Sequence, residues 1–539
     1  VCQQGVKLLP CADWKKVCFD NTNQEHKCES SSYLKTFDAP LFEKNETHIM
    51  RKCHHNEVVG MHNRYLKEAD FNITYDEELF SACVDELIGQ LKPHFNGKIS
   101  LAEFMGSKSG KLKTRYDKCV EHVAKKGFDI NKDSNISAFI KHEIYPDETK
   151  PPRFIMGRNP IFNLIYGLYT TPLEHAMTHL PQIAKGKNFL ERGEQFRDLI
   201  FGGSYVENDF SKYESTQQLK LLEDVELRVW KALLQPEEFE TMRRLFAHKV
   251  LKSGYTMLGC KFKFIACRGS GDMDTGLFNT LINWVACRYF EIKNQLGHGN
   301  FMVDGDDGVI QTLRPDMVLI NTFSEFGLDA KLILKHDYHD VDFCSSKFVQ
   351  YRPGQFIQMQ NIRKVLANMS IMKALDFRHC IGDYYYSLGF MYSKIYPNFP
   401  IFTQFSKFLM DQKVNFGKHG KHRFYSPDIA KQHMHDYDHK IIDQDIPLDY
   451  YGILVEYIMC FDLTYSEIDN ITSYFSGHHM EIPPDHDKKF KKFGFNIYRH
   501  TNVEYDFCEQ LMLETANASA GSHISYKPIY KLSAEYQQA

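Results

Sequence analysis

The sequence predicts an α+β protein, and three features carry that prediction. A short hairpin with strand-forming flanks lies at 301–312, a charged amphipathic helix at 215–234, and the last third is mostly helical in pattern and rich in aromatic residues. At 539 residues the chain exceeds what one ordinary hydrophobic core serves, so several subdomains or one large enzyme are expected. A composition of 43% hydrophobic and 25% charged residues is that of a folded globular protein. No run approaches the ~18 apolar residues of a membrane span. No charged-then-apolar N-terminal segment resembles a signal peptide, so a reducing, intracellular setting is the expectation. The 14 scattered cysteines then read as free thiols. Val1 in place of Met is what a fragment or a processed product would show.

Residues 1–53 are polar, with Cys, Asn and Ser scattered through them, and read as an irregular N-terminal extension. Cys11, Cys18, Cys28 and Cys53, with His26, His54 and His55, raise a zinc site as one reading. The absence of a CxxC pair and the irregular spacing favour unmetallated residues. From 54 to 195, helical patterns alternate with basic loops, and "PDETKPPRF" (146–154) is turn-rich because its prolines disfavour helix before them. Across 196–350 a strand candidate, "DLIFGGSYVENDFS", precedes the amphipathic helix "STQQLKLLEDVELRVWKALL". A Gly-rich turn into a helix near 268–291 and the hairpin at 301–312 follow. Residues 351–539 read as helical, and the aromatics of "YYYSLGFMYSKIYPNFPIF" as core rather than base-stacking platforms.

Net charge is −4, which excludes a uniformly basic nucleic-acid coat; any polyanion must be met by local runs of Lys and Arg. "KSGKLKTRYDKCVEHVAKK" (108–126) carries seven basic residues against two acidic ones, and "KHGKHR" (418–423) is basic again. Each is also what a solvated helix face looks like.

The chemistry concentrates in "FMVDGDDGVIQT". Strand-forming residues flank a turn composition, which sets Asp306 and Asp307 side by side at a hairpin tip. Adjacent carboxylates repel, and a divalent cation would compensate them. "DDG" alone is also an ordinary surface turn. A second site, "VENDFSKYES", places Asp209 at a strand end with Glu214 five positions later. Carboxylates from two strands that bridge a pair of metals suit in-line nucleotidyl transfer, and all-oxygen ligands shared with phosphates suit Mg²⁺. Between the two sites, "CRGSGDMDTGLFNTLIN" contains Ser270, Gly271, Thr275 and Asn279. Thr275 and Asn279 fall four apart on one helix face and could read a sugar hydroxyl.

The ordered set "DFSKYE", "SGDMDTGLFN" and "DGDDG" resembles the palm motifs of viral RNA-dependent RNA polymerases. Upstream, "KHEIYPDETKPPRFIMGRNPIFNLIYGLYTTPLE" (141–174) is similar to that family's basic fingertip block. Downstream, "FGLDAKLIL" and "VDFCSSKFV" are similar to the motifs that end the palm. The pattern is most similar to the tombusvirus and nodavirus-like positive-strand group, and the six motifs span roughly residues 100 to 350. A lone GDD is uninformative; the ordered set is specific.

The resemblance implies a right-hand fold of fingers, palm and thumb, with an antiparallel palm sheet flanked by helices and a mostly helical thumb. The fingers would occupy 54–195, the palm 196–350 and the thumb with the C-terminal region 351–539. Asp209 and Asp306 would be the principal metal ligands with Asp307 assisting, for Mg²⁺ or Mn²⁺ in its place. Ser270, Gly271, Thr275 and Asn279 would lie near the ribose of the incoming nucleotide, with Glu214 where the family has Asp. The longer side chain of Glu214 leaves its bond to Asn279 or the ribose open. Lys141, Lys150, Arg153 and Arg158 would line the nucleotide path and meet the triphosphate; a structural salt bridge is the plain alternative for Arg153 and Arg158. Lys331 matches the lysine that protonates pyrophosphate, with Lys335 close by as the alternative. Lys108, Lys111, Lys113 and Arg115 would contact template RNA. The implied partners are a single-stranded RNA template, the nascent duplex, nucleoside triphosphates and other viral replication proteins. The implied setting is the host cytoplasm at membrane-associated replication sites, reached through partners or segments outside this chain. Two rivals remain: a reverse transcriptase or DNA polymerase, which would carry a bulky block to the 2′-hydroxyl, and a noncatalytic RNA-binding scaffold, which would not need both carboxylate sites.

Overall fold

The structure, a computed structural model, describes residues 33–35, 48–66, 71–141, 143–145, 149–314, 319–369, 371–373, 381–411 and 448–477. Most of the N-terminal extension, including Cys11, Cys18, Cys28 and His26, and the "KHGKHR" run lie outside the described residues.

Helix α1 (Glu77–Leu91) starts where the Asp76 side chain accepts from the backbone of Glu78 and Leu79, and it buries Phe80, Cys83, Val84, Leu87 and Leu91 along one stripe. The basic run forms α2 (Gly110–Lys126), closed by Gly127 at φ +75° with Lys125 and Lys126 in its last turn, where cations complement the helix dipole. Strands β1 (Ile136–Ile140) and β2 (Phe154–Arg158) pair antiparallel. Helix α3 (Pro160–Met177) follows, capped by Asn159 with Pro at its first position. A capping box between Asn188 and Glu191 starts α4 (Phe189–Leu199). The strand expected from Asp198 onward begins only at Ser204, because α4 runs to Leu199 and Gly202 and Gly203 turn the chain at φ +98° and +88°.

Strand β3 (Ser204–Phe210) leads into the amphipathic stretch, which is helical over 219–233 with a π turn at Glu223–Leu227. Helix α5 (Pro236–Val250) then feeds β4 (Leu251–Thr256) and β5 (Lys261–Ile265). These two strands extend the β1–β2 pair into a mixed sheet of order β2-β1-β4-β5, with β1 and β4 parallel. Helix α6 (Thr275–Lys293) is buried on all sides from Leu277 to Glu291, as a central helix must be.

The expected hairpin is formed by β6 (Phe301–Asp304) and β7 (Asp307–Thr312). With β8 (Ala330–Lys335) they complete a wholly antiparallel sheet of order β8-β3-β7-β6. Side chains alternate across it. Val206, Ile310, Phe301 and Val303 face the largest core with α6, while Tyr205, Val309 and Met302 join Phe196 of α4 in another. That second core is closed by the hairpin of β9 (Ser346–Arg352) and β10 (Gln355–Gln360), which contributes Phe348 and Phe356. The edge of β6 is covered by the segment at 182–184, bridged in parallel at Ile183 and Val303.

The C-terminal helices α7 (Ile381–Ile395), α8 (Phe402–Met410), α9 (Tyr450–Phe461) and α10 (Tyr465–Gly477) share a third core. Tyr385, Tyr392, Tyr396, Phe399 and Phe402 are buried in it, so these aromatics are packing residues as expected. Among the described residues no helix is long and apolar enough to cross a membrane, and the eight described cysteines are free thiols.

Candidate active site

The hairpin turn has two residues, Gly305 and Asp306, between the paired Asp304 and Asp307. Gly305 takes φ +66°, which suits Gly at the first turn position. Gly308 is required for a different reason: a Cβ there would lie 2.3 Å from Asn208 Oδ1. Helix α6 braces this turn from behind. Asn283 Nδ2 donates to the carbonyls of Gly305 (3.2 Å) and Asp307 (3.0 Å), and Thr280 Oγ1 accepts from Gly305 N at 2.9 Å. Asn208 Nδ2 of β3 donates to Asn283 Oδ1 at 2.8 Å, so one helix residue ties both carboxylate strands together.

The register then aligns the ionisable groups. Gly308 pairs with Asn208, which brings Asp307 level with Asp209 at the ends of β7 and β3. Lys331 of β8 pairs directly with Asp209, and Asp307 with Asp304. Opposite residues of an antiparallel pair share a face. Lys331, Asp209, Asp307 and Asp304 therefore form a row on the face turned away from α6, with Asp306 at the tip. Asp209, Asp306, Asp307 and Lys331 are exposed. Lys335 pairs with Tyr205, four residues further from the row.

Asp304 is neutralised by Lys185 (3.2 Å) and Arg192 (2.6 Å). Burial alone would raise its carboxyl, but these two cations hold it below the usual carboxylate range. Asp307 has no such pair. Although the residue as a whole is exposed, loss of hydration at its carboxyl, then the charges of Asp306 and Asp304, push its pKa up to about 7, against hydrogen bonds from Cys344 that pull the other way. That uncompensated repulsion, in a set of oxygen donors, fits a hard divalent cation. As the side chains stand, no three of the described His, Cys, Asp or Glu converge on one metal position. One or two carboxylates, with the rest of the shell from substrate and water oxygens, is how Mg²⁺ is commonly held.

The loop before α6 is anchored from inside. Arg158 Nε meets Asp272 at 2.8 Å and Lys252 Nζ meets the same carboxylate at 2.5 Å. Asp274 accepts from Lys249 (2.8 Å) and from the Tyr166 hydroxyl (2.8 Å), while Glu226 bonds both Lys249 and Arg268. Burial would raise the Asp272 and Asp274 carboxyls, but the surrounding Arg and Lys hold both below the usual range. The outward tip is left to Ser270, half-buried, and Gly271, exposed at φ +109°. The Thr275 hydroxyl is spent on its own loop, donating to the carbonyls of Gly269 (2.7 Å) and Asp272 (2.8 Å). Asn279 Oδ1 accepts from Gln217 Nε2 at 2.9 Å, not from any group on Glu214.

Arg158 corrects the sequence expectation. Its side chain is 0% exposed, bonded to Asp272 and to the carbonyls of Ser134 (2.7 Å) and Lys249 (3.0 Å), so it braces the loop, as the salt-bridge alternative had it, and does not open on a nucleotide path. Lys141 and Arg153 remain partly open, sharing Glu143 at 3.1 and 3.6 Å, and Lys150 is exposed. Arg64 holds the proline segment through the carbonyls of Pro151 and Pro152. On α2, Lys113 and Arg115 are exposed, with Lys113 3.2 Å from Asp117. Lys111 lies on the same helix, and Lys108, just before it, stacks 4.3 Å from the centre of the Phe104 ring. His54 Nε2 lies 3.0 Å from Cys260 Sγ.

Sequence reasoning missed Gln217, Asn208, Thr280, Asn283, Asp304, Lys185 and Arg192. Asn283 had a signal, four residues after Asn279 on the same helix, and Asp304 stands in the quoted hairpin. Lys185 and Arg192 had none, since only the fold brings them to Asp304.

Residues 220–470 match the family of viral RNA dependent RNA polymerases, a span that holds the α6 loop and the hairpin and begins after Asp209 and Glu214. The RNA-directed RNA polymerase of Groundnut rosette virus (strain MC1) is 26% identical over 275 residues, covering 46% of this chain and 32% of that protein. That of Oat chlorotic stunt virus is 21% identical over 327 residues, covering 55% and 43%. That of Striped jack nervous necrosis virus is 25% identical over 209 residues, covering 37% and 21%. The chain thus spans less than half the length of these relatives. It is related to the viral RNA-dependent RNA polymerases, as its ordered motifs suggested.

Proposed function

We propose that the chain is an RNA-directed RNA polymerase that copies a single-stranded viral RNA. What carries the reading is the row of carboxylates: Asp209, far upstream in sequence, lies level with Asp307 at the ends of β3 and β7, with Asp306 at the adjoining hairpin tip, on a frame braced by α6. In this reading 54–195 act as fingers, 196–350 as palm and 351–539 as thumb.

Asp209 and Asp306 would hold divalent cations, with Asp307 assisting. Two Mg²⁺ ions, or Mn²⁺ in their place, would supply the charge that activates a primer 3′-hydroxyl and steadies the pyrophosphate. Lys331, opposite Asp209, is the residue in register to give the departing pyrophosphate a proton. Ser270 and Gly271 at the loop tip and Asn279 beneath it face the sugar, where a 2′-hydroxyl separates RNA precursors from DNA precursors. Lys141, Lys150 and Arg153 provide the cations for the triphosphate, with Glu143 released from the first and third.

The test is templated incorporation of labelled NTPs and dNTPs on single-stranded RNA with Mg²⁺ or Mn²⁺, beside Asp306→Ala. Metal-dependent, NTP-selective synthesis that falls by at least about a hundredfold in the variant is the expected result. No synthesis, with RNA bound equally by both proteins, would favour a noncatalytic scaffold, and equal use of dNTPs would favour a DNA polymerase.

A further inference from the structure

Asn279 is oriented by a side chain to which the sequence reading gave no role. Gln217, buried in the turn after Glu214, donates from Nε2 to Asn279 Oδ1 at 2.9 Å. Its own Oε1 accepts from Arg268 Nε at 2.9 Å, and its backbone carbonyl accepts from Cys267 N at 3.1 Å. Arg268 is itself fixed, bonded to Glu226 and 3.6 Å from Asp274. The Tyr213 hydroxyl donates to the Asn279 carbonyl at 3.2 Å and holds its backbone. The bond from Glu214 to Asn279 that the sequence left open is not formed: Asn279 Oδ1 is taken by Gln217.

The polarity of this chain of amides follows from its anchor. A guanidinium can only donate. Gln217 must therefore turn its oxygen to Arg268 and its NH₂ to Asn279, and Asn279 must answer with its own oxygen. Among the described residues nothing accepts from Asn279 Nδ2, and that atom is not sealed from solvent. Asn279 is 4% exposed, so its two N–H groups are left over in a nearly closed position beside the helix start.

We propose that Gln217 is a positioning residue for sugar selection. Anchored by Arg268, it fixes Asn279 with its NH₂ turned away from Gln217 as the donor to the 2′-hydroxyl oxygen of an incoming ribonucleotide. The proposal rests on the polymerase reading above. A deoxynucleotide offers no such acceptor, so the relay favours NTPs by one hydrogen bond, on the order of tenfold.

The test compares kcat/KM for one NTP and its matching dNTP on an RNA template, using the full chain, Gln217→Glu, Asn279→Ala and the double variant. Gln217→Glu keeps an acceptor for Arg268 but withdraws the donor that holds Asn279 Oδ1, so the Asn279 amide is no longer held in one orientation. The NTP-to-dNTP ratio should fall about tenfold through the NTP alone, and the substitution should have no further effect in the Asn279→Ala background. Should Gln217→Glu fold poorly by thermal unfolding, Gln217→Leu withdraws the same hydrogen bond without adding charge. Equal losses for both nucleotides, or an unchanged ratio while Asn279→Ala still lowers it, would overturn the proposal and leave the polymerase reading standing. An unchanged ratio in Asn279→Ala itself would remove the sugar-reading role of that residue and the proposal with it. Absence of NTP incorporation by the unsubstituted chain would overturn the polymerase reading.

Discussion

Asp304 and Asp307 face each other across one hairpin yet are shifted in opposite directions, because Lys185 and Arg192 are spent on the first and, among the described residues, no cation pairs with the second. The second shift has a sign that can be tested. A carboxyl whose folded pKa lies near 7, against an ordinary value of 3.8, adds stability below the ordinary value and loses it as pH climbs through 7. Without divalent cation, the midpoint of unfolding should therefore drift down between about pH 4 and 7 by an amount that Asp307→Asn removes. Mg²⁺ should reverse the drift above pH 7, where the site is ionised. An identical pH profile in Asp307→Asn would show that the carboxyl titrates normally. Register makes the second prediction at this scale. Lys335 lies four residues beyond Lys331, about 13 Å along the strand. Lys331→Leu should cut kcat by roughly a hundredfold with little change in the KM for NTP, while Lys335→Leu stays near the unsubstituted rate. The reverse ranking, read from steady-state kinetics, would assign the proton donor to Lys335.

The loop that opens α6 is held by a buried cage of four cations, Arg158, Lys249, Lys252 and Arg268, against three anions, Glu226, Asp272 and Asp274. Removing Arg158 leaves Asp272 to Lys252 alone and strips the buried carbonyls of Ser134 and Lys249 of their donors, which is the costly way to break such a set. Arg158→Met should lower the unfolding free energy by about 3–5 kcal/mol in a denaturant titration. If Arg158 instead served the triphosphate, stability would hold and only the KM for NTP would rise. This residue also marks where the sequence stopped being legible. Arg158 stands in a basic block that reads as a phosphate path, and the partner that buries it, Asp272, lies in a different motif with no local sign of the pairing. The carboxylate hairpin was legible because strand, turn and strand are contiguous, and α6 because its polar residues recur at helical spacing. The β2-β1-β4-β5 sheet was not read. The alternation in "KFKFI" is local, but β1 finds β4 in parallel across an excursion that contains α3, α4 and α5. Gln217 failed for the same reason as Asp272: its importance lies in being bonded to Asn279, not in its neighbours along the chain.

At the scale of the whole molecule, the carboxylate sheet is sandwiched between α6 on one face and α4 with the β9–β10 hairpin on the other, so its acidic row opens at one end of the strands. Under the polymerase reading, a chain of net charge −4 that presents carboxylates there would need cations placed elsewhere to draw RNA in. Helix α2 carries a run of such cations. Tyr116 and Cys119 pin one side of it on a core shared with Ile161 and Leu164 of α3, which leaves Lys113 and Arg115 on the open side. Such contacts are read by salt. Each phosphate neutralised on single-stranded RNA contributes about 0.7 to the slope of log affinity against log salt. Replacing Lys108, Lys111, Lys113 and Arg115 together by Ala should flatten that slope by about 2–3, measured by fluorescence anisotropy of a labelled single strand across a salt series. Lys113 gives up its ion pair with Asp117 to do this, a small loss because both side chains are about half exposed. The acidic row itself is untouched by these substitutions. Synthesis at low salt on saturating template should therefore persist, with the defect appearing only as salt rises or template is diluted. An unchanged slope would mean that α2 is a solvated face and that the template enters over another surface.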